Sequence, residues 1–169
     1  MKTTALLNTE LLQSIEDVLQ GISDQQFTES MEILSGATIG QHIRHVIEFY
    51  QAIQVGTASG EVNYDDRKRD LTIEMSTQTA IDKIHESIQF LSTCESDKTL
   101  ILKACYADHE SKSAEMPTSL LRELAYGMDH TIHHLAILKN GFLRQNIKLD
   151  KDFGVAPSTI RHRNQACAQ

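Results

Sequence analysis

Apolar residues recur every three or four positions over four stretches of the chain, the repeat of a helix that buries one face. Leu6, Leu7, Leu11, Leu12, Ile15, Val18 and Leu19 set the first, a helix over about 5–20 that stops before Gly21. Thr38 opens a second over 38–56, with Val46, Phe49 and Ile53 facing inward and Gly56 at its end. Ile73, Ile81, Ile84, Ile88 and Leu91 mark a third over 71–94. Its first turns are weaker, because Ser76, Thr77 and Thr79 offer the backbone competing hydrogen bonds. The fourth, over 119–143, is the clearest: Leu124, Met128, Thr131, Leu135, Leu138 and Phe142 fall on one stripe. Pro117 followed by Thr118 or Ser119 supplies its start, and Gly141, or Leu143 and Arg144, its stop.

The intervening segments lack that repeat. Residues 23–36 read as a packed connection and residues 60–69, GEVNYDDRKR, as a polar loop. Leu100, Ile101 and Leu102 suit a short strand or hairpin arm, whereas the polar run 108–115 is excluded from a core. A tail over 146–169 carries FGVAPST at Phe153 to Thr159 and a frayed polar end. Four amphipathic helices with connections this long predict an all-α fold, a four-helix bundle that is not simply up-and-down. At 169 residues the chain reads as one domain, 1–169.

Composition narrows the function classes. Sixteen basic against 23 acidic residues give a net charge of -7, which repels phosphate backbones, and aromatics at 5% leave few stacking platforms, so no nucleic-acid partner is expected. No run of 18 apolar residues suggests a membrane span, and the first twenty residues lack a signal-peptide pattern, so the expected location is the cytoplasm. Cys94, Cys105 and Cys167 are too widely spaced for a zinc ribbon or a disulfide framework and read as reduced thiols.

Five of the eight histidines fall in two short helical segments, HIRH at 42–45 and DHTIHH at 129–134. His130 and His134, four apart, lie one above the other at the edge of the core stripe, along with Glu123 and Gly127. Two imidazoles at this spacing can share one divalent ion. On the second helix His42 lies within the inward stripe and His45 at its margin, and angular position does not choose which of them supplies a third nitrogen. His133 points away from the pair. The segment is not HExxH, since Thr131 stands where that motif has its glutamate.

With TIGQHIRHV on the second helix and DHTIHHL on the last, the chain resembles DinB-like proteins of the DinB/YfiT superfamily from its first helix through His134. The resemblance implies a four-helix bundle with long crossover connections and a divalent metal, zinc or nickel, held by His45, His130 and His134. His42 and His133 are extra imidazoles beside that set and are expected not to be direct ligands. YDDRKRD at 64–70 and FGVAPST are similar to pieces recurring in one subgroup. Some relatives are metal-dependent thiol transferases that use low-molecular-weight thiols such as bacillithiol or mycothiol, so a small-thiol S-transferase is the expectation. A metal-dependent hydrolase and a non-catalytic binding or structural module are the alternatives.

Around such a centre, Glu123 and Glu48 are the candidate outer carboxylates, although glutamates on helix surfaces are usually solvated. Arg67, Lys68 and Arg69 either receive substrate anions or are neutralised by Asp65, Asp66 and Asp70. Cys94 and Cys105 read as small packed hydrophobes. Ile43, Ile47 and Tyr50 widen the apolar arc of the second helix beyond one bundle contact, which predicts a homodimer.

Overall fold

A computed structural model describes residues 1–106 and 114–166; Cys167 and most of the polar run 108–115 lie outside the described residues. In chain order the elements are α1 (Lys2–Leu19), α2 (Asp24–Thr28), a 3-10 turn (Glu32–Leu34), α3 (Ile39–Ser59), β1 (Glu61–Asn63), α4 (Thr77–Ser92), β2 (Thr99–Ala104), β3 (Ala114–Ser119), α5 (Leu120–Arg144) and α6 (Pro157–Ala166). The long helices α1, α3, α4 and α5 pack into one core, α1 and α3 each lying against both α4 and α5.

The all-α four-helix bundle is corrected by a three-stranded mixed sheet of order β1-β2-β3. β1 runs parallel to β2, with Val62 opposite Leu102, and β3 runs antiparallel to it, with Pro117 opposite Ile101. The architecture is therefore mixed α/β. Residues 60–69 are not a polar loop throughout, because Val62 is a buried strand residue and Tyr64 is buried beyond it. Proline is tolerated in β3 because that strand is an edge, free of ladder bonds on one side. Gly56 lies inside α3 rather than ending it, and a Cβ there would meet Val62 Cγ2 at 2.4 Å, so the glycine lets β1 fold back on the helix. The helix ends instead at Gly60, in the left-handed region at φ 89°.

Local chemistry sets the other boundaries. Thr38 and Gln41 form a reciprocal capping box at the start of α3. The third helix begins at Thr77 and not at 71, with the Ser76 side chain accepting from the Thr79 amide. Ser119 caps α5, so the hairpin strand β3 leads straight into the histidine-bearing helix. Residues 23–36 supply α2 and the 3-10 turn, whose Phe27 and Leu34 are buried. The tail's FGVAPST segment packs on α5, and the polar end expected to be frayed is helical as far as Ala166. Phe153 packs edge-on against Phe142 at 5.7 Å, and Gly154, at φ 67°, lies where a Cβ would meet the Ala136 amide nitrogen at 2.7 Å. Only α6 beyond it buries nothing.

A buried polar network fixes how α1, α3 and α5 are rotated. Tyr50 Oη donates to Asn8 Oδ1 at 2.8 Å, Asn8 Nδ2 donates to the Leu124 carbonyl at 3.2 Å, and Thr131 Oγ1 reaches the Gly127 carbonyl at 2.7 Å. Ile43, Ile47 and Tyr50 are fully buried in this core, so the apolar arc from which self-association was expected is consumed within the chain.

Candidate metal centre

α3 and α5 pack side by side, and Thr131 turns into the core, leaving its neighbour His130 and the next-turn His134 at the edge facing α3. His45 comes to the same point from α3. One ring nitrogen from each of the three lies within 4.8 Å of the others. His45 Nε2 and His130 Nε2 are 2.8 Å apart. The His134 ring centroid is 4.6 Å from those of both partners. Two nitrogens bound at about 2.0 to 2.1 Å to one ion lie at most about 4.2 Å apart, so small side-chain rotations bring this set to bonding geometry.

The remaining imidazoles divide. His42 Nδ1 is 3.0 Å from His134 Nδ1 and so meets a member of the cluster from behind. His133 is exposed, and its ring is edge-on to His134 at 5.6 Å. Neither belongs to the three-nitrogen group.

Burial is the first cause that keeps the three rings neutral. It lowers His45 to about 4, aided by the positive charge of Arg67 and by His130. His130 is lowered to about 4 by burial, His133 and Arg67, and His134 to about 3 by burial and the surrounding histidines. At neutral pH each ring thus has a lone pair free for a cation, and no proton need be expelled on binding. The donor set fits a divalent metal of the kind imidazole prefers. No described carboxylate or thiol joins it.

Next to the histidines stands a cluster of rings not foreseen as part of the site. Phe49, read only as core, stacks on His130 at 4.0 Å and on Tyr64 at 4.5 Å. Tyr126 on α5 lies 5.8 Å from His130 and is partly exposed. The Arg67 guanidinium lies 5.1 Å from the Phe49 ring centre. The sequence signal for these positions was YDDRKRD, whose parts now have individual roles. Tyr64 donates to Glu123 at 2.6 Å, Asp65 accepts from the Cys105 amide, Arg67 turns inward, and the Asp70 amide donates to Glu48. Lys68 and Arg69 face solvent.

Glu48 and Glu123 are both buried, contrary to the solvated reading, and neither joins the histidines. Glu123 accepts from Tyr64, Thr118 and Arg122. Burial, and after it Glu123, pushes the Tyr64 phenol far above its ordinary range. Glu48 lies between Arg67 at 3.7 Å and Arg44 at 4.0 Å. A Cβ at Gly127 would meet only the end of the Ile53 side chain, at 3.2 Å. Cys94 is buried and donates to the Phe90 carbonyl. No described helix is long and apolar enough to cross a membrane.

Comparison with known families and with solved structures gives no match. Among curated proteins, the chain is similar to FK506-binding protein 5 of Rhizopus delemar, with 34% identity over 104 residues. The match takes in 60% of this chain but only 27% of that protein, so the chain spans little more than a quarter of the relative's length.

Proposed function

We propose that this chain is a DinB-like metal protein that binds one zinc or nickel ion through His45, His130 and His134 and uses it to activate a low-molecular-weight thiol for transfer. The observation that carries the reading is the convergence of three half-buried imidazoles, held neutral, from two helices. Three donors are the complement of a catalytic site, whereas a metal that only fastens helices is usually enclosed by four. A bound divalent ion would supply Lewis acidity, lowering the pKa of a thiol or of water.

The chain's own residues do the rest. Phe49 stacks on His130 and fixes the plane of its ring. Thr131 anchors the adjacent backbone through Gly127. The aromatic rings beside the cluster shed water from one side of it. The net charge of -7 disfavours a nucleic-acid partner.

Elemental analysis and metal titration test the reading. Wild-type protein is expected to hold one ion per chain, and His130→Ala or His134→Ala to lose stoichiometric metal. Unchanged metal content and affinity in both variants would rule the site out. Failure of the metal-loaded protein to bind any small thiol, with the metal retained, would leave the site but remove the thiol chemistry.

A further inference from the structure

We propose that the chain pairs with a second copy of itself by exchanging α6, each copy laying that helix into a groove between α1 and the tail of the other. The inference does not depend on the metal reading, since none of the three clustered histidines lines the groove, and it does not use the buried apolar arc of α3.

The first observation is a helix without a partner. α6 is ten residues long and buries none of them. Helices this short are marginal in water, and its serine, threonine, histidine and asparagine are weak helix formers, so its order has to come from packing that its own chain does not supply. Ile160, its one large apolar residue, shares a face with Arg163, and Arg161 flanks that face. α6 holds no acidic residue, in a chain whose net charge is -7.

The second is a groove that matches it. A space of about 880 Å³ lies open between α1, the end of α5 and the tail. Leu11, Val18 and Ile147 give it an apolar lining that the chain itself leaves partly uncovered. Asp17, Asp150 and Asp152 line it too, against the single ammonium of Lys148. No described ion pair uses these carboxylates, and none uses Arg161 or Arg163. An apolar lining with surplus negative charge complements a helix face that carries isoleucine and arginine.

The third is connectivity, which favours the helix of a second copy over the chain's own. Val155 lines the groove, and only Ala156 separates it from Pro157. Gly154 is set tightly against α5, where a Cβ would meet the Ala136 amide nitrogen at 2.7 Å, so the segment feeding α6 is fixed in place. The Ala156 carbonyl accepts from the Thr159 and Ile160 amides, and the helix begins there at once. Without slack, α6 leaves from the wall of its own groove and cannot turn back to lie along it. A two-fold axis beside the root of α6 brings each helix to the other copy's groove, and the same contact forms twice.

Sedimentation equilibrium of the full-length protein at about 1 to 100 µM tests the proposal. Wild type is expected to be a dimer whose dissociation constant weakens about tenfold between about 0.05 and about 0.5 M salt, because exposed charge pairs are screened. Arg161→Glu with Arg163→Glu, and separately Asp17→Arg with Asp152→Arg, should each give a monomer, since each variant sets like charges together. Mixed in equal amounts, the two variants should form a heterodimer in which both contacts again pair opposite charges. A wild-type mass that stays monomeric over the whole range overturns the proposal, whether the groove stands empty, holds α6 of its own chain or serves a different protein. A dimer indifferent to salt, a dimer that persists in Arg161→Glu with Arg163→Glu, or a mixture of folded variants that yields no heterodimer also overturns it. If the groove variant fails to fold, the wild-type mass and the α6 variant still decide, because both arginines lie exposed on a helix that packs on nothing in its own chain.

Discussion

His134 can offer an ion only one of its ring nitrogens, and the other decides the tautomer. Its Nδ1 lies 3.0 Å from His42 Nδ1. With Nε2 turned to the ion, Nδ1 keeps its proton and donates to His42, which accepts because it is neutral; burial lowers its pKa too. On the proposed reading, His42 would therefore orient a ligand without being one. His42→Ala should weaken metal binding by about 10- to 100-fold while one ion per chain still binds at saturation. His133→Ala, which removes an exposed ring, should leave the affinity unchanged. Competition titrations against a chelator at fixed pH distinguish the cases, and complete loss of binding in His42→Ala would make His42 a ligand. The choice between His42 and His45 was beyond helical angles alone, because both sit within reach of α5 and only the packed distance between α3 and α5 separates contact with an ion from contact with another ring.

Elements differ in how much of their placement is local. α5 could be read from its stripe and from the serine before it, and α3 from Thr38, because caps and core faces are properties of neighbouring residues. The sheet could not. β1 has three residues and a single buried side chain, and β3, AEMPTS, shows no alternation of apolar and polar positions; both exist because β2 lies between them. The glycines of α3 and α5 make the same distinction testable. At Gly40 a Cβ would lie 2.2 Å from the Glu74 carbonyl oxygen and 3.0 Å from the Phe27 ring, and the carbonyl belongs to backbone that cannot rotate aside. Gly40→Ala should cost about 3 kcal/mol. At Gly127 the new methyl meets only the flexible end of Ile53 at 3.2 Å, and alanine is favoured over glycine within a helix by about 1 kcal/mol. Gly127→Ala should stay within about 1 kcal/mol of wild type. Denaturant midpoints of the two variants check the pair, and a collapse of Gly127→Ala would mean that the glycine has a role beyond packing.

For the molecule as a whole, the location of the histidine cluster was legible and its surroundings were not. His130 and His134 share an edge by spacing alone, but Phe49, Tyr64 and Arg67 join them through strand β1 and the strap after it, over sequence separations that no periodicity reports. The same burial that assembles the cluster links global stability to pH. His45 and His130, at about 4, and His134, at about 3, lie below the ordinary value of 6.5 that they regain on unfolding. Between those values the unfolded chain binds more protons than the folded one, so stability rises with pH there. The contribution is fully present above about 6.5 and is lost as pH falls through the folded values. Solvent reaches these half-buried rings, so the effect is smaller than full burial would give. Metal-free protein should therefore melt progressively lower from pH 6.5 to pH 4, and the variant with all three histidines replaced by glutamine should lose most of that dependence. A divalent ion in excess binds the folded chain only, and at a hundred times its dissociation constant it adds about 2.7 kcal/mol. At pH 7 zinc or nickel should raise the melting temperature of wild type and leave the triple variant where it was. An identical metal-induced rise in both proteins would place the stabilising ion elsewhere on the chain.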